Sequence, residues 1–309
     1  MLALTILPRA RARFHSLPGA VRGAAWMTFS SILFSCNAAA VRHLAGEVHP
    51  FELAFFRSII GVPLMLPWLL GVGLVALQTR NLRIYAVRGT LSAVSTIAWF
   101  MALALIPVAD ATAISFTTPI FASIAAAIAL RETMHARRWS AVIVSFIGVA
   151  IILRPGFAVI NLGTWLVLMS AVFVAVNSIL VKTATRTDTP DMIAFWQILV
   201  MIPITFLPAV FVWNWPTAAQ WIWIVVIAVI SMVGHRALGR AYAAADVSMV
   251  QPFDFTRLPF AVGLGWFMFS ELPDLWTWVG GLTIFAASVF IAHREAHHAR
   301  RGALKAERA

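Results

Sequence analysis

Charged residues are scarce in this chain, and acidic residues are the scarcest. Only 11% of its 309 residues are charged, with 12 Asp and Glu against 23 Lys and Arg. Soluble globular proteins carry about 25% charged residues, whereas 61% of this chain is hydrophobic. The composition therefore excludes water as the main solvent and predicts an all-α membrane protein.

Signatures of catalysis and of redox chemistry are also missing. The single cysteine, Cys36, excludes an internal disulfide. There is no Gly-rich phosphate loop with its Lys, no His or carboxylate cluster with zinc spacing, and no Gly-x-Ser-x-Gly. We therefore expect neither ATP hydrolysis nor a metal site.

The sequence instead contains long apolar runs. A helix needs about 20 residues to cross a hydrocarbon core of about 30 Å. We predict ten membrane-spanning helices, of which the fifth is short, at residues 21–41, 53–74, 84–105, 111–130, 136–153, 162–181, 192–213, 221–238, 247–269 and 275–292.

The basic residues are distributed unevenly between the loops of this predicted topology. If both termini are cytoplasmic, 18 of the 23 Lys and Arg residues fall on the cytoplasmic side, and only Arg42 and Arg154 fall outside. This asymmetry is typical of membrane proteins that follow the positive-inside rule. The net charge of +11 then indicates contact with anionic lipids rather than with nucleic acid.

The two halves of the chain repeat each other about 140 residues apart. At an offset of 140, Asn37 and Arg42 match Asn177 and Lys182, residues 54–57 match 194–197, and Pro63 matches Pro203. Further matches have offsets of 136 to 140 and pair Ala109-Asp110 with Ala245-Asp246, Pro119 with Pro259, Glu132 with Glu271 and Trp139 with Trp278. An odd number of spans in each unit predicts an inverted repeat, the construction of many secondary transporters.

This repeat divides the chain into four parts. We predict a cytosolic N-terminal arm at residues 1–20, a first five-helix repeat at 21–156, a second five-helix repeat at 157–293 and a cytosolic tail at 294–309. The N-terminus is apolar first and basic afterwards, the reverse of a secretory signal, so we expect the first span to be retained.

Ionisable residues inside the spans are the first candidates for function. A charged side chain at the centre of a span costs about 2.5–3.5 kcal/mol on insertion scales. Arg57, Arg88, His235, Asp254 and Arg257 are placed in this way. For Arg57 an anchoring role, by reaching water or by pairing with Glu52, is as consistent with the sequence as a functional one, and the position of Arg88 near the cytoplasmic face favours a structural role.

Asp254 and Arg257 are the pair that we expect to matter most. A three-residue spacing places both on one helix face, where they can neutralise each other. One interpretation is a purely structural bridge. In the other, Arg257 binds an anionic group of the solute while Asp254 accepts a proton or a cationic group. Pro252 and Pro259, seven residues apart, predict that the ninth span is bent and lines a cavity.

Several other polar and aromatic residues are candidates for substrate contact. These are Asn37, Trp99, Ser115, Asn177 and Gln251. Helix-to-helix hydrogen bonding is the commoner use of a buried Asn, and the Ser115 hydroxyl can equally satisfy a carbonyl freed by Pro119. His235 is a candidate for proton coupling alongside Asp254, or a residue of a solvated vestibule.

A family resemblance extends from about Arg22 to Arg294. It is carried by Phe56-Arg57, by Ala109-Asp110-Ala111 and Ala245-Asp246-Val247 at the openings of spans four and nine, and by Arg131-Glu132 and Ser270-Glu271 at their ends. On these motifs the chain resembles the drug/metabolite transporter superfamily and its EamA-type ten-span members. The stretch from Gln251 to Pro259 is similar to members that take up S-adenosylmethionine or riboflavin. Gln197 departs from the pattern, because it stands where the repeat would mirror Arg57.

The resemblance implies a secondary transporter for small organic solutes such as amino acids, vitamins, nucleosides or S-adenosylmethionine, in a bacterial inner membrane and without a cofactor. The sequence leaves open an uncoupled facilitator or exchanger and, further off, a membrane scaffold or an intramembrane enzyme. It also leaves open whether the protein is a monomer or a homodimer.

Overall fold

The computed structural model describes residues 17–73, 77–79, 81–118, 120–122, 124–125, 143–144, 146–148, 150–152, 161–184, 187–244 and 253–286. Within these ranges every regular element is a helix. The helices are α1 (Gly19–Leu44), α2 (Pro50–Val72), α3 (Leu82–Leu105), α4 (Val108–Ser115), α5 (Leu162–Ala184), α6 (Pro190–Val210), α7 (Ala218–Ala244), α8 (Arg257–Phe269) and α9 (Leu275–Ala286).

Six of these helices are long and apolar enough to cross a membrane: α1, α2, α3, α5, α6 and α7. Each coincides with a predicted span, which confirms a multi-pass helical membrane protein. The end of α7 differs most from the prediction, since the helix continues to Ala244 and not to residue 238. Hydropathy falls at His235, Arg236 and Arg240, but helical geometry does not require apolar residues beyond the hydrocarbon core.

Several predictions fall on residues outside the described ranges. These are residues 1–16 of the N-terminal arm, the later part of the fourth span, most of the fifth span, residues 247–252 of the ninth span with the candidate Gln251, residues 287–292 of the tenth span and the whole C-terminal tail.

Helices α2 and α6 begin in the same way, 140 residues apart. His49 caps α2 before Pro50, and Thr189 caps α6 before Pro190. Proline suits the first helical position because its missing N–H has no partner there in any case. In α2 the carboxylate of Glu52 completes a capping box with His49. Glu52 is only 2% exposed, and its second oxygen accepts a hydrogen bond from the backbone N–H of Asn214.

The main hydrophobic core lies at one end of the bundle, which we call the Arg42 end. It joins the C-terminal ends of α1, α3 and α6 to the N-terminal ends of α2 and α7 and to α4. Phe56 packs there between Trp213 and Trp221, with ring centroids 5.3 and 4.9 Å away. Sequence position predicts such tryptophans as interfacial anchors, but the structure uses these two as core residues.

Polar contacts join the two halves of the chain at the same end. Arg42 donates to the Leu103 carbonyl at 2.8 Å and pairs with Glu271 at 2.7 Å. The Thr277 hydroxyl donates to Asp110 at 2.8 Å. Together with the Glu52 contact, these bonds close the Arg42 end.

Packing at the opposite end, which we call the Asp188 end, is divided into separate clusters. One contains Met27 and Ala241, another Met65, Leu69 and Phe195, and a third Tyr85, Ala184 and Ile193. A polar cluster links α3 to the connection between α5 and α6. There Asp188 accepts hydrogen bonds from Thr79, Asn81 and Tyr85 at 3.0, 3.1 and 2.5 Å.

Two helices are interrupted at related positions. Helical geometry breaks at Phe116–Thr117, after α4, and at Phe255–Thr256, before α8. The rings of Phe116 and Phe255 contact each other with centroids 4.9 Å apart. The bend predicted for the ninth span is therefore present, and it lies next to an interruption in the fourth.

The helical segment around residue 148 crosses α9 at two glycines. A Cβ at Gly280 would lie 2.5 Å from the Gly148 carbonyl oxygen, and one at Gly148 would lie 2.9 Å from the Gly280 carbonyl oxygen. Small residues at such crossings allow membrane helices to approach closely.

We expect Gly280→Ala to lower the free energy of unfolding by about 1–3 kcal/mol, because backbone atoms must move to admit the methyl group. Gly263→Ala, where a Cβ meets nothing within 4 Å, is the matched control and should be neutral or gain up to about 1 kcal/mol. Thermal unfolding of both variants in detergent measures the difference. Equal melting temperatures would contradict the close crossing.

Asp188 gives a pH-dependent contribution to stability. Partial burial favours its neutral form, but the hydrogen bonds from Tyr85, Asn81 and Thr79 outweigh burial and lower its pKa. A lowered folded-state pKa means that this stabilisation is complete above the unfolded value of about 3.9 and is lost as the pH falls through the folded value.

Asp188→Asn should therefore lower the melting temperature at pH 7 and converge with the wild type below about pH 4, near the unfolded value. Tyr85→Phe should move the loss to higher pH, since it removes one donor to the carboxylate. Melting curves between pH 3 and pH 8 test both expectations. A deficit in Asp188→Asn that does not change with pH would show that the charge is unimportant.

Candidate functional site

Asp254 and Arg257 form the ion pair that their spacing predicts. Arg257 Nη2 lies 3.1 Å from Asp254 Oδ1, and the two side chains are 22% and 17% exposed. Asp254 immediately precedes the helix interruption and Arg257 is the first residue of α8. The interruption thus places both charges inside the bundle, facing α1.

A row of serine hydroxyls on α1 lies against this pair. The Ser31 hydroxyl donates to Asp254 Oδ1 at 2.8 Å, and the Ser35 hydroxyl donates to the Arg257 carbonyl at 2.8 Å. The Ser30 hydroxyl donates to the Gly234 carbonyl of α7 at 2.9 Å. The buried polar face of α1 therefore holds α7 and α8 and completes the solvation of Asp254.

Phe34 separates Arg257 from His235. The guanidinium of Arg257 lies over the Phe34 ring, 4.9 Å from its centroid. The His235 ring meets the same phenylalanine edge-on at 5.0 Å, and His235 Nδ1 lies 2.7 Å from the Ser231 carbonyl. A cation held over an aromatic face gains about 0.5–2 kcal/mol, so Phe34 fixes the position of Arg257.

His235 is exposed although it lies on a helix in the interior of the bundle. Phe34 of α1, which meets its ring, also lies under the guanidinium of Arg257. An accessible side chain enclosed in this way lines a cavity between helices. This cavity, bordered by Phe34, His235, Asp254 and Arg257, is the candidate site, and Arg57 lies on α2, which packs against α7.

Arg57 has no carboxylate within ion-pairing distance among the described residues. Its guanidinium lies 5.7 Å from the centroid of the Phe100 ring. The proposed pairing with Glu52 is wrong, because the Glu52 carboxylate accepts from the backbone of His49 and Asn214. The list of site residues predicted from the sequence omits Arg57. The free-energy cost of a charged side chain inside a span was the signal that could have identified it.

Arg88 is tied to the second half of the chain. It donates to the Ile193 carbonyl at 2.8 Å and to the side chain of Gln197 at 2.5 Å. Gln197 occupies the position that the repeat relates to Arg57. The charge that the sequence lacks at this position is therefore supplied by Arg88, from a different helix.

Four predicted site residues take part in contacts within and between helices. Asn37 donates to the Ile227 carbonyl of α7 at 3.0 Å, and Asn177 donates to Ser92 of α3 at 2.9 Å. Ser115 donates to the Thr112 carbonyl at 2.7 Å, and Trp99 packs against the main core. The structure thus brings together Asp254, Arg257 and His235, and it gives these four residues partners within the protein, so their contact with substrate stays a prediction.

The described residues hold no group of three or more His, Cys, Asp or Glu that could bind a metal ion. The polar groups of the cavity are instead suited to recognising a polar organic solute by charge and hydrogen bonding.

Comparison with known proteins identifies a family. The EamA-like transporter family matches the chain twice, at residues 21–154 and 161–292. A solved crystal structure, 19% identical in sequence, aligns over 86% of this chain and 96% of its own chain with a TM-score of 0.62, which shows a shared fold.

Relatives of assigned function are transporters. The chain is 30% identical to a riboflavin transporter of Vibrio cholerae, over 91% of this chain and 96% of the relative. It is 32% identical to a riboflavin transporter of Rhizobium johnstonii, over 92% and 95%. It is 26% identical to an S-adenosylmethionine uptake transporter of Rickettsia prowazekii, over 89% and 94%. With two matches that together cover most of its length, the chain belongs to the EamA-like transporter family.

Proposed function

We propose that this transporter of small metabolites carries a flavin across a bacterial inner membrane by alternating access. This choice is supported by sequence identities of 30 and 32% to two riboflavin transporters over more than nine-tenths of the chain. S-adenosylmethionine is the second candidate, since a relative with 26% identity takes it up. The family and its relatives are transporters and not enzymes.

The unequal packing of the two ends supports alternating access. The Arg42 end is held by one continuous core and by the Arg42–Glu271 ion pair, whereas packing at the Asp188 end is divided between separate clusters. With both termini cytoplasmic, as proposed from the basic residues, the Arg42 end faces outward. The conformation described here is then closed to the outside, and its cavity opens toward the cytoplasm.

Asp254 is the group that we propose for proton coupling. Protonation would remove the charge that holds Arg257 and would turn an acceptor for Ser31 into a donor. The Ser31 hydroxyl of α1 donates to Asp254, and Phe34, which lies under Arg257, contacts His235 of α7, so the pair lies between α1 and α7. Loss of this pair would loosen α8 from α1 and make Arg257 available to the solute.

A facilitator or exchanger is the alternative, with the Asp254–Arg257 pair acting only as a gate. Trans-stimulation separates the two mechanisms. At zero pH gradient an exchanger is accelerated by internal substrate, whereas a proton-coupled carrier is driven by an imposed gradient.

We expect proteoliposomes that contain the purified protein to take up radiolabelled riboflavin saturably. S-adenosylmethionine should neither compete nor enter, because the relatives at 30 and 32% identity are riboflavin transporters. Protein-free liposomes give the background. Uptake of S-adenosylmethionine without uptake of riboflavin would overturn the flavin assignment and leave the transporter family intact.

Asp254→Asn should abolish the pH dependence of uptake and lower its rate at least tenfold, since the amide keeps an acceptor for Ser31 but cannot exchange a proton. Asp191→Asn is the matched control, because Asp191 is 45% exposed and lies 3.7 Å from Arg236. Flux at pH 6 and pH 8, normalised to inserted protein, is the measurement. Unchanged pH-coupled flux in Asp254→Asn would remove the proton-carrier role.

A further inference from the structure

Arg57 is a cation without a compensating anion. It is half-buried on α2, and among the residues described its guanidinium contacts the Phe100 ring but no carboxylate. Placing Arg inside a membrane span is energetically costly. A pairing within the protein would offset this cost, but the described part of the chain provides none.

The carboxylates nearest to the cavity are already bound. Glu52, one turn before Arg57 on α2, accepts from backbone N–H groups at the Arg42 end. Asp254 accepts from Ser31 and Arg257. Arg88 adds a second positive charge, which is held by the neutral groups of Ile193 and Gln197. The cavity as described therefore has an excess of positive charge.

The positions of these charges make an outward-facing anchor the weaker explanation for Arg57. An anchoring arginine extends its guanidinium to the lipid headgroups or to water. The guanidinium of Arg57 instead lies 5.7 Å from the centroid of the Phe100 ring, which is only 1% exposed. Its donors therefore face the interior of the bundle, where a solute could reach them.

We propose that Arg57 is the centre of an anion-binding subsite on the transport pathway, and that the solute presents a phosphate or carboxylate group there. The planar guanidinium can bind either oxyanion with two parallel hydrogen bonds. This inference rests on the proposed transport function and narrows its substrate class. For a flavin, it predicts that riboflavin 5′-phosphate binds more tightly than riboflavin.

Inorganic phosphate and acetate test the subsite without knowledge of the solute. At constant ionic strength, set with sodium chloride, each should raise the melting temperature of the purified protein by several degrees, because a ligand of the folded form stabilises it. Arg57→Gln should not respond. Arg83→Gln, an exposed arginine on the neighbouring helix α3, is the matched control and should respond like the wild type.

The stability of Arg57→Gln without added anions separates binding from anchoring. Removal of an uncompensated charge should raise the melting temperature, whereas removal of an anchor should lower it. An anion response in Arg57→Gln, no response in the wild type, or a lowered melting temperature of the variant would each overturn the subsite. Stabilisation by phosphatidylglycerol in nanodiscs, without stabilisation by soluble anions, would also overturn it, since the anion would then be a lipid.

Flavin fluorescence completes the test. The wild type should bind riboflavin 5′-phosphate about tenfold more tightly than riboflavin, and Arg57→Gln should bind both alike. Equal binding of the two flavins by the wild type contradicts the subsite but leaves flavin transport standing. A response to phosphate that depends on Arg57, without binding of either flavin, supports the subsite and contradicts the flavin assignment.

Discussion

The structure depends on how each ionised group inside the bundle is compensated. Glu52 is held by backbone N–H groups, Arg88 by a carbonyl and an amide, and Asp254 and Arg257 by each other. In a low dielectric, uncompensated charge is expensive, so these contacts also decide which helices must be neighbours. Among the described residues Arg57 is the exception, and a transporter can use such an exception, because the missing partner can arrive and leave with the solute.

Apolar packing differs between the two ends of the bundle. At the Arg42 end, aromatic rings and an ion pair join both halves of the chain in one core. At the Asp188 end the two halves are joined by a smaller set of hydrogen bonds, centred on the Asp188 carboxylate. These partly buried hydrogen bonds can be replaced by bonds to water when the end opens, whereas separation of a continuous core exposes apolar surface that gains no such replacement. The two ends therefore differ in how readily they can open.

Local features of the fold could be predicted from the sequence, and long-range partners could not. The spans follow from apolar length, and the Asp254–Arg257 ion pair follows from a spacing of three on one helix. The bond between Arg88 and Gln197 joins residues 109 apart, and no periodicity encodes it. For the same reason the sequence suggested an ion pair between Glu52 and Arg57, which are close on α2, although the partner of Glu52 is Asn214, 162 residues away. Asn37 shows that pseudo-symmetry alone does not identify a binding residue, since an amide that recurs in both repeats can serve in helix packing as well as in substrate binding.

The contact between Phe116 and Phe255 has a mechanical consequence. Each ring lies at the point where its own helix loses regular geometry, so the interrupted points of the two chain halves lie against each other. Bending of one helix displaces the ring that the other contacts. The two halves are thereby mechanically coupled, and bending only one of them would break this contact between the rings.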